Sequence, residues 1–377
     1  MVEKKIAVLS GDGIGPEIMN EAIKVLQTIG DTYNHEFNCI TAPFGAFAWK
    51  SEGTVFPNKT KEICDSADSI LKGPIGDPSI TTLITNPDET PEIGALLALR
   101  KRYETFANYR PVILPNQMNS FSPLKKQIIK NGINIMMIRE LVGGIYFGKK
   151  VEKRKNKNGE MYASDICMYT ELQIKRIARV AFSEARKRKT IVTNIHKGNV
   201  LATSRFWNGV VEQIQKEEFP DIQLKHCLVD AAAFYLVTNP SSFNGVMLLE
   251  NMQGDILSDM AGGIIGSLGF MPSACINAQT QKGFYEPAHG SAPDIAGKDT
   301  ANPYAQIGSV ALMLDIAFNL NQESKCVWDA LHAVLLKGYR TPDIADNVTP
   351  KNKIIGTSKF GDLVTAHIKN QRGGKNE

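Results

Sequence analysis

Apolar residues along this chain follow two alternating spacings. Ile6–Leu9 is a continuous apolar run that gives way to Gly11, and Ile18, Ala22, Val25, Leu26 and Ile29 then recur at helical intervals. The run predicts a buried strand, the intervals predict an amphipathic helix, and the glycines between them predict a turn. The same rhythm returns at Ser69–Leu71 before Gly73-Pro74, in a helical stretch around Gly94–Arg102, and in the run Ile133–Ile138 ahead of Arg139. A further strand-and-helix unit is expected from Thr190–Ile195, with Lys197 just past the strand, and Val246–Leu249 reads as a buried strand leading to Asn251. Strands interleaved with helices in this way predict an α/β fold.

Length changes this picture by dividing it. At 377 residues the chain exceeds the roughly 250–300 residues at which a single core stops growing, so two domains are expected. Hydrophobic residues at 43% and charged residues at 22% suit a packed globular protein and exclude a disordered one. A net charge of +4 is too small to indicate general attraction to nucleic acid or to an anionic membrane, so any anion binding is local. The six cysteines are scattered without a C-x-x-C pair, which predicts buried thiols in a reducing compartment. The first apolar run is too short for a signal peptide, and no stretch of about 18 uncharged apolar residues is present to span a bilayer, so a cytoplasmic location is expected. The basic segment Lys149–Met161 carries an Asn-Gly turn and no interleaved aromatics, which predicts a solvated loop or projecting arm rather than a nucleic-acid surface. The tail IKNQRGGKNE is expected to fray.

Candidate chemistry starts from carboxylates. In GDILSD, Asp255 and Asp259 are four residues apart and share one face of a predicted helix whose other residues are largely apolar. Paired like charges in a buried setting call for a cation, and hard oxygen donors favour Mg²⁺ or Mn²⁺; a solvated helix face is the alternative. Arg100, Arg110 and Arg139 lie at or near the ends of apolar elements, and a guanidinium forks onto a carboxylate through two hydrogen bonds. Lys197 follows a strand where active sites of α/β sheets gather, and neighbouring cations would lower its pKa towards that of a general base. Gly11-Asp12-Gly13-Ile14-Gly15 lacks the G-x-G-x-x-G spacing and fails as a Rossmann fingerprint, leaving a tight turn that brings backbone close to a neighbour or a cofactor. The loop His289–Gly297 combines a histidine, small residues and Asp294, a combination that suits an adenosine site or an ordinary turn.

The segments GDGIGPE (11–17), EIGALLALRK (92–101), FANYRP (106–111), IRELVGGIYFG (138–148), HKGNVL (196–201), GDILSD (254–259), GSLGFMPSA (266–274), EPAHGSAPDIAG (286–297) and ANP (301–303) run nearly from end to end. In this order they resemble the β-decarboxylating dehydrogenase family, which includes isopropylmalate, isocitrate, homoisocitrate and tartrate dehydrogenases. The resemblance implies two α/β domains, neither a Rossmann fold. Residues 1–108 and 265–377 would form the cofactor-binding domain, 109–264 the dimerisation and substrate/metal domain, and the cleft between them would hold the chemistry.

It further implies a homodimer with shared active sites. Arg100, Arg110 and Arg139 would clamp substrate carboxylates, Tyr146 would be the acid that protonates the enol, and Lys197, contributed by the partner subunit, would take the substrate hydroxyl proton. The metal ligands would be Asp255 and Asp259 together with Asp230, also crossing from the partner. Contacts to the cofactor would come from Ile14, from Gly73, Pro74, Ile75 and Gly76, from His289, Gly290, Ser291, Ala292, Pro293, Asp294 and Ile295, and from Asn302. Asp294 can accept hydrogen bonds from both ribose hydroxyls but repels a 2′-phosphate, where NADP-using members resemble one another in carrying lysine and tyrosine, so NAD is expected. Glu92 with Leu96 and Leu97 matches the isopropylmalate pattern: the leucines would line an apolar pocket, with helix core the alternative for at least one of them, and the glutamate would repel a third carboxylate. The expectation is therefore oxidation and decarboxylation of 3-isopropylmalate in leucine biosynthesis. His196-Lys197-Gly198, Gln253, Asn244 and Tyr109 depart from that pattern and keep homoisocitrate, isocitrate, tartrate or another 2-alkylmalate open as alternatives. Retention of Lys197, Tyr146 and the three aspartates argues against a non-catalytic regulatory subunit.

Overall fold

The computed structural model describes residues 1–373. Its strands are β1 (Glu3–Leu9), β2 (Glu36–Thr41), β3 (Ser69–Lys72), β4 (Ala107–Leu114), β5 (Ile133–Glu140), β6 (Lys150–Lys155), β7 (Met161–Asp165), β8 (Val192–His196), β9 (Leu224–Leu228), β10 (Gly245–Leu249), β11 (Pro272–Ile276) and β12 (Gly283–Pro287). The longer helices are α1 (Gly15–Tyr33), α2 (Glu171–Arg188), α3 (Ala202–Glu218), α4 (Val229–Thr238), α5 (Asn251–Ile265), α6 (Tyr304–Ile316), α7 (Asn321–Leu336) and α8 (Thr357–Gly373). The tail expected to fray is helical through Gly373, and residues 374–377 lie outside the described residues.

Two compact units result: Met1–Thr105 with Ser120–Pro123 and Ile265–Glu377, and Phe106–Asn119 with Leu124–Ile264. The first junction falls at 105/106 rather than at 108/109, because β4 is one continuous strand from Ala107 and stays whole in the second unit.

In the first unit the strand order is β2-β1-β3-β12-β11. β1 runs parallel to β2 and β3, β12 parallel to β3, and only β11 is antiparallel to its neighbour. Parallel strands need both faces covered. Accordingly β3 is buried throughout, α6 packs on β11 and β12, and α1 packs against α8. The carboxyl ends of β1, β3 and β12 lie on one edge and deliver Gly11–Gly15, Gly73–Gly76 and the loop after Pro287.

In the second unit the order is β4-β5-β10-β8-β9, with β5, β10, β8 and β9 mutually parallel and β4 antiparallel to β5. The carboxyl ends of the four parallel strands carry Arg139, Asn251, Lys197 and Asp230 within two residues of the strand ends. That edge is where ligands bind in open α/β sheets. The basic segment expected as a loop or arm is a two-stranded antiparallel hairpin, β6 with β7. Asn156 shapes its turn by accepting N–H bonds from Asn158 (2.9 Å) and Glu160 (3.0 Å). All six cysteines are free thiols, and no helix among the described residues is long and apolar enough to cross a membrane.

Candidate active site

The helical spacing of Asp255 and Asp259 sets both carboxylates on the face of α5 that meets Arg110 and Arg139. Asp255 Oδ1 accepts from Arg139 Nη1 at 2.5 Å and lies 3.8 Å from Arg110 Nη2, while Asp259 Oδ1 is 3.4 Å from Arg110 Nη1. Both arginines are almost fully buried and both aspartates are partly open, at 38% and 54% side-chain exposure. The guanidinium groups therefore form a fixed cationic floor, and the carboxylate edge above it stays within reach of a ligand. Burial raises the Asp259 carboxyl and Asp255 adds to the rise, against the opposing pull of Arg110. Tyr146, at the end of a short turn, donates its hydroxyl to Asp255 Oδ2 at 3.0 Å. Burial raises its pKa, and the neighbouring Asp255 charge raises it further, so the phenol keeps its proton. Arg110 Nε is buried without a hydrogen-bond partner among the described residues.

Gly254 explains how the Arg139 stem reaches this place. A Cβ at 254 would stand 2.7 Å from Arg139 Cγ and 3.0 Å from Cδ, so only glycine lets the stem lie across the first turn of α5.

Lys197 and Asp230 form a second pair, Nζ to Oδ1 at 2.5 Å, in which the ammonium pulls the carboxyl pKa down. No three His, Cys, Asp or Glu side chains gather around one point among the described residues, so Asp230 does not complete a cage with Asp255 and Asp259 within this chain. Asp255 and Asp259 nonetheless present hard oxygens one turn apart, which suits Mg²⁺ or Mn²⁺.

In the first unit three loops are locked together. The Asp12 carboxylate accepts N–H bonds from Ala46 (3.0 Å), Phe47 (2.8 Å) and Gly76 (2.8 Å). Asp12 N–H donates to the Pro74 carbonyl and Ile14 N–H to the Ser291 carbonyl, while Ser291 Oγ donates to the Gly76 carbonyl at 2.5 Å. A Cβ on Gly13 would fall 2.0 Å from the Ser291 carbonyl oxygen, and one on Gly73 would fall 2.0 Å from that of Ser10. The glycines thus serve close packing of loop on loop. Ile14 is buried in a cluster with Ile18 and Ala301, against which Ala292, Ile295 and Ala296 pack. Pro74 is buried and Ile75 half-buried, while Gly290, Pro293 and Asp294 are exposed. The Asp294 side chain has no partner among the described residues; only its backbone carbonyl is taken, by Lys298 Nζ. His289 Nδ1 faces the Gly290 carbonyl, Nε2 is buried and unpaired, and burial lowers the pKa of the ring. Asn302 is engaged with Asp343 and with Tyr304 N–H.

The segment before Arg100 departs from the expected single helix. Pro91–Leu97 is a π-helix, followed by α-helix at Ala98–Arg102. Gly94 permits this, since a Cβ there would stand 2.8 Å from the Asp88 carbonyl oxygen and 2.9 Å from Val55. Such turns cluster at functional sites. Leu96 and Leu97 are half-buried, Glu92 is exposed with its carboxylate beside Gly76, and Arg100 is buried with Nε unpaired among the described residues.

A family model described as isocitrate/isopropylmalate dehydrogenase matches residues 5–364. The chain belongs to the isocitrate/isopropylmalate dehydrogenase family. Similar family members include the 3-isopropylmalate dehydrogenase of Moorella thermoacetica, 44% identical over 97% of this chain and 99% of that protein. That of Clostridium acetobutylicum is 45% identical over 98% and 100%. Among solved structures, isocitrate dehydrogenase from Methylococcus capsulatus has TM-score 0.83 at 30% identity, covering 97% of this chain and 99% of that one.

Against this family background, sequence inspection missed several residues. Asp12 reads as one more turn acid, although it is the hub of three loops. Lys72 and Glu286 form a buried ion pair at 2.6 Å, and Lys72 also donates to the Gly73 carbonyl. Lys72 directly after the apolar step Ile70-Leu71, and Glu286 in EPAHG, were the available signals. Gln253, already noted as a departure from the isopropylmalate pattern, lines a cavity of about 240 Å³ with Tyr169, Ile195 and Trp207.

Proposed function

We propose that this protein is an NAD-dependent 3-isopropylmalate dehydrogenase, which oxidises and decarboxylates 3-isopropylmalate to 4-methyl-2-oxopentanoate and CO₂ in leucine biosynthesis. One observation carries the substrate choice: over nearly the whole chain, the relatives named for 3-isopropylmalate are more alike to it than the solved isocitrate dehydrogenase is. Glu92, Leu96 and Leu97 support the same choice, an apolar wall for the isopropyl group with a carboxylate that repels a third acid.

In this reading Arg100, Arg110 and Arg139 hold the two substrate carboxylates by charge-assisted pairs. The partner subunit's Lys197, as its neutral amine, takes the C2 hydroxyl proton. Tyr146 holds its proton through burial and the Asp255 contact, and delivers it to C3 once CO₂ has left. When bound, NAD at the loops bearing Gly73–Gly76 and His289–Ile295 supplies the hydride acceptor, and a divalent cation at Asp255, Asp259 and the partner subunit's Asp230 supplies Lewis-acid withdrawal of charge. Asp294, exposed and unpaired, meets the ribose hydroxyls. The pairing of Lys197 with Asp230, apart from any three-carboxylate cluster, supports a site shared between two chains. Exposed Phe234 and Tyr235 on α4, and Met252 and Ile256 on α5, supply an apolar face for the homodimer. We place the enzyme in the cytoplasm, where its free thiols stay reduced.

The test is a panel of 3-isopropylmalate, homoisocitrate, isocitrate and tartrate with NAD or NADP and Mg²⁺ or Mn²⁺, followed by reduced nicotinamide absorbance. NADH formation with 3-isopropylmalate is expected. Preference for isocitrate overturns the substrate and leaves the family standing.

A further inference from the structure

Asn251 opens α5 with a side chain that is fully buried. Its Oδ1 accepts from Arg139 Nε at 3.2 Å and from Nη2 at 2.8 Å. Its Nδ2 donates to the Gly143 carbonyl at 3.0 Å. Gly143 begins the turn that ends in Tyr146. The remaining Arg139 nitrogen, Nη1, donates to Asp255, whose other oxygen accepts the Tyr146 hydroxyl. Arg139, Asn251, the 143–146 turn, Tyr146 and Asp255 therefore close into one ring.

The ring has little slack. Glu140 accepts Gly143 N–H at 2.8 Å and Val142 N–H at 3.2 Å. A Cβ on Gly143 would be 2.8 Å from Tyr169 Cε1, and one on Gly144 would be 2.2 Å from Tyr169 Oη. Tyr169 Oη in turn accepts Asn251 N–H at 3.0 Å and donates to Glu250 at 2.8 Å. Glu250 accepts the N–H groups of Met252 and Gln253, fixing the start of α5. The turn is thus held at its N–H by Glu140, at its face by Tyr169 and at its carbonyl by Asn251. Position 251 must offer an acceptor to a guanidinium and a donor to a carbonyl on adjacent atoms, and a carboxamide of this length offers both. An apolar side chain would strand buried donors and an acceptor.

We propose that Asn251 is a positioning residue that sets the proton-donating Tyr146 in register with the substrate-gripping Arg139. The proposal rests on the roles assigned above to those two side chains. Asn251→Asp separates its two arms: the acceptor for Arg139 remains, while a carboxylate oxygen now faces and repels the Gly143 carbonyl.

The experiment is a double-mutant cycle on the full-length enzyme with 3-isopropylmalate, NAD and Mn²⁺. In the otherwise native background, N251D is expected to lower kcat by about tenfold or more with KM within about threefold, whereas N251A also raises KM. In a Y146F background, N251D is expected to cost less than about twofold in kcat, because the group it misplaces is already gone. A merely structural amide would lower kcat by the same factor in both backgrounds, and that result, or an unchanged kcat for N251D alone, overturns the proposal. If Y146F itself keeps full kcat, the role of Tyr146 falls and takes this proposal with it; a Y146F loss multiplied by an undiminished N251D loss sinks Asn251 alone. Should N251D fail to fold by circular dichroism, N251S, uncharged and too short to reach both partners, is read through the same cycle against the same two outcomes.

Discussion

Substituting alanine at Gly254 places a methyl group where Arg139 passes. The new Cβ would stand 2.7 Å from Arg139 Cγ, 3.0 Å from Cδ and 3.1 Å from Cβ, all in a stem with 1% side-chain exposure. A helical glycine replaced by alanine ordinarily gains about 1 kcal/mol from backbone propensity. Overpacking costs about 1–3 kcal/mol, so the net stability change lies between roughly 0 and 2 kcal/mol in the destabilising direction. The functional loss is larger, because relief comes from pushing the Arg139 stem off α5 and the guanidinium off Asn251 and Asp255. One hydrogen bond to a charged group is worth about 1.5–3 kcal/mol, which converts to a loss of roughly 10- to 150-fold in kcat/KM. Steady-state kinetics with 3-isopropylmalate beside a thermal melt measure both quantities. A variant with kcat/KM within twofold of the native enzyme and a raised melting temperature would refute the idea that Arg139 is pinned here and grips substrate.

The remaining expectations concern the cofactor and pH. Asp294→Lys removes the acceptor proposed for the ribose hydroxyls and supplies a cation for a 2′-phosphate, so the ratio of kcat/KM for NAD over NADP should fall by at least about tenfold; an unchanged ratio removes Asp294 from the ribose site. Burial pushes the Glu140 carboxyl up to about 7, against the Val142 N–H, Arg176 and the Gly143 N–H, which all pull it down. With the folded value above the ordinary one of 4.5, the native state holds the extra proton between them, so this group's contribution to stability is lost as pH rises from about 5 towards 7, by at most roughly 3 kcal/mol. The half-buried histidines slope the other way, because partial burial lowers the His196 and His332 values, so the quantity to follow is native minus Glu140→Gln in urea unfolding at pH 5 and pH 8. That difference should shrink at the higher pH, and a pH-independent difference contradicts it.

How much of this was legible beforehand depends on the range of the interaction. Asp255 and Asp259 could be placed on one face because four residues make one helical turn, and Arg139 and Lys197 could be placed at strand ends because apolar runs stop before them. The fold class followed from the same local periodicity. What local pattern cannot carry is the identity of the neighbour. Asn251 looks like an ordinary helix start until Arg139 and Gly143 meet it from other parts of the chain. The glycines of GDGIG invite a cofactor, whereas their missing side chains make room for the Ser291, Pro74 and Ser10 carbonyls. The π-helix at Pro91–Leu97 is invisible to helical spacing, as is the crowding of Gly94 by Val55 and the Asp88 carbonyl. The exposed residues of β6 and β7 lack the alternation that marks a half-buried strand, so that hairpin reads as a loop.

The central claim is that Tyr146 with the Asp255–Asp259 pair works together with Lys197 and Asp230 from a second chain. Mixing two strongly impaired enzymes, Lys197→Ala and Tyr146→Phe, each far below native activity, after unfolding and refolding them together, tests this directly. If sites are shared, half the refolded dimers are mixed and each carries one intact site, so activity should return to about a quarter of the native value. If each site belongs to one chain, no intact site can form, and a mixture no more active than its parents would contradict the account.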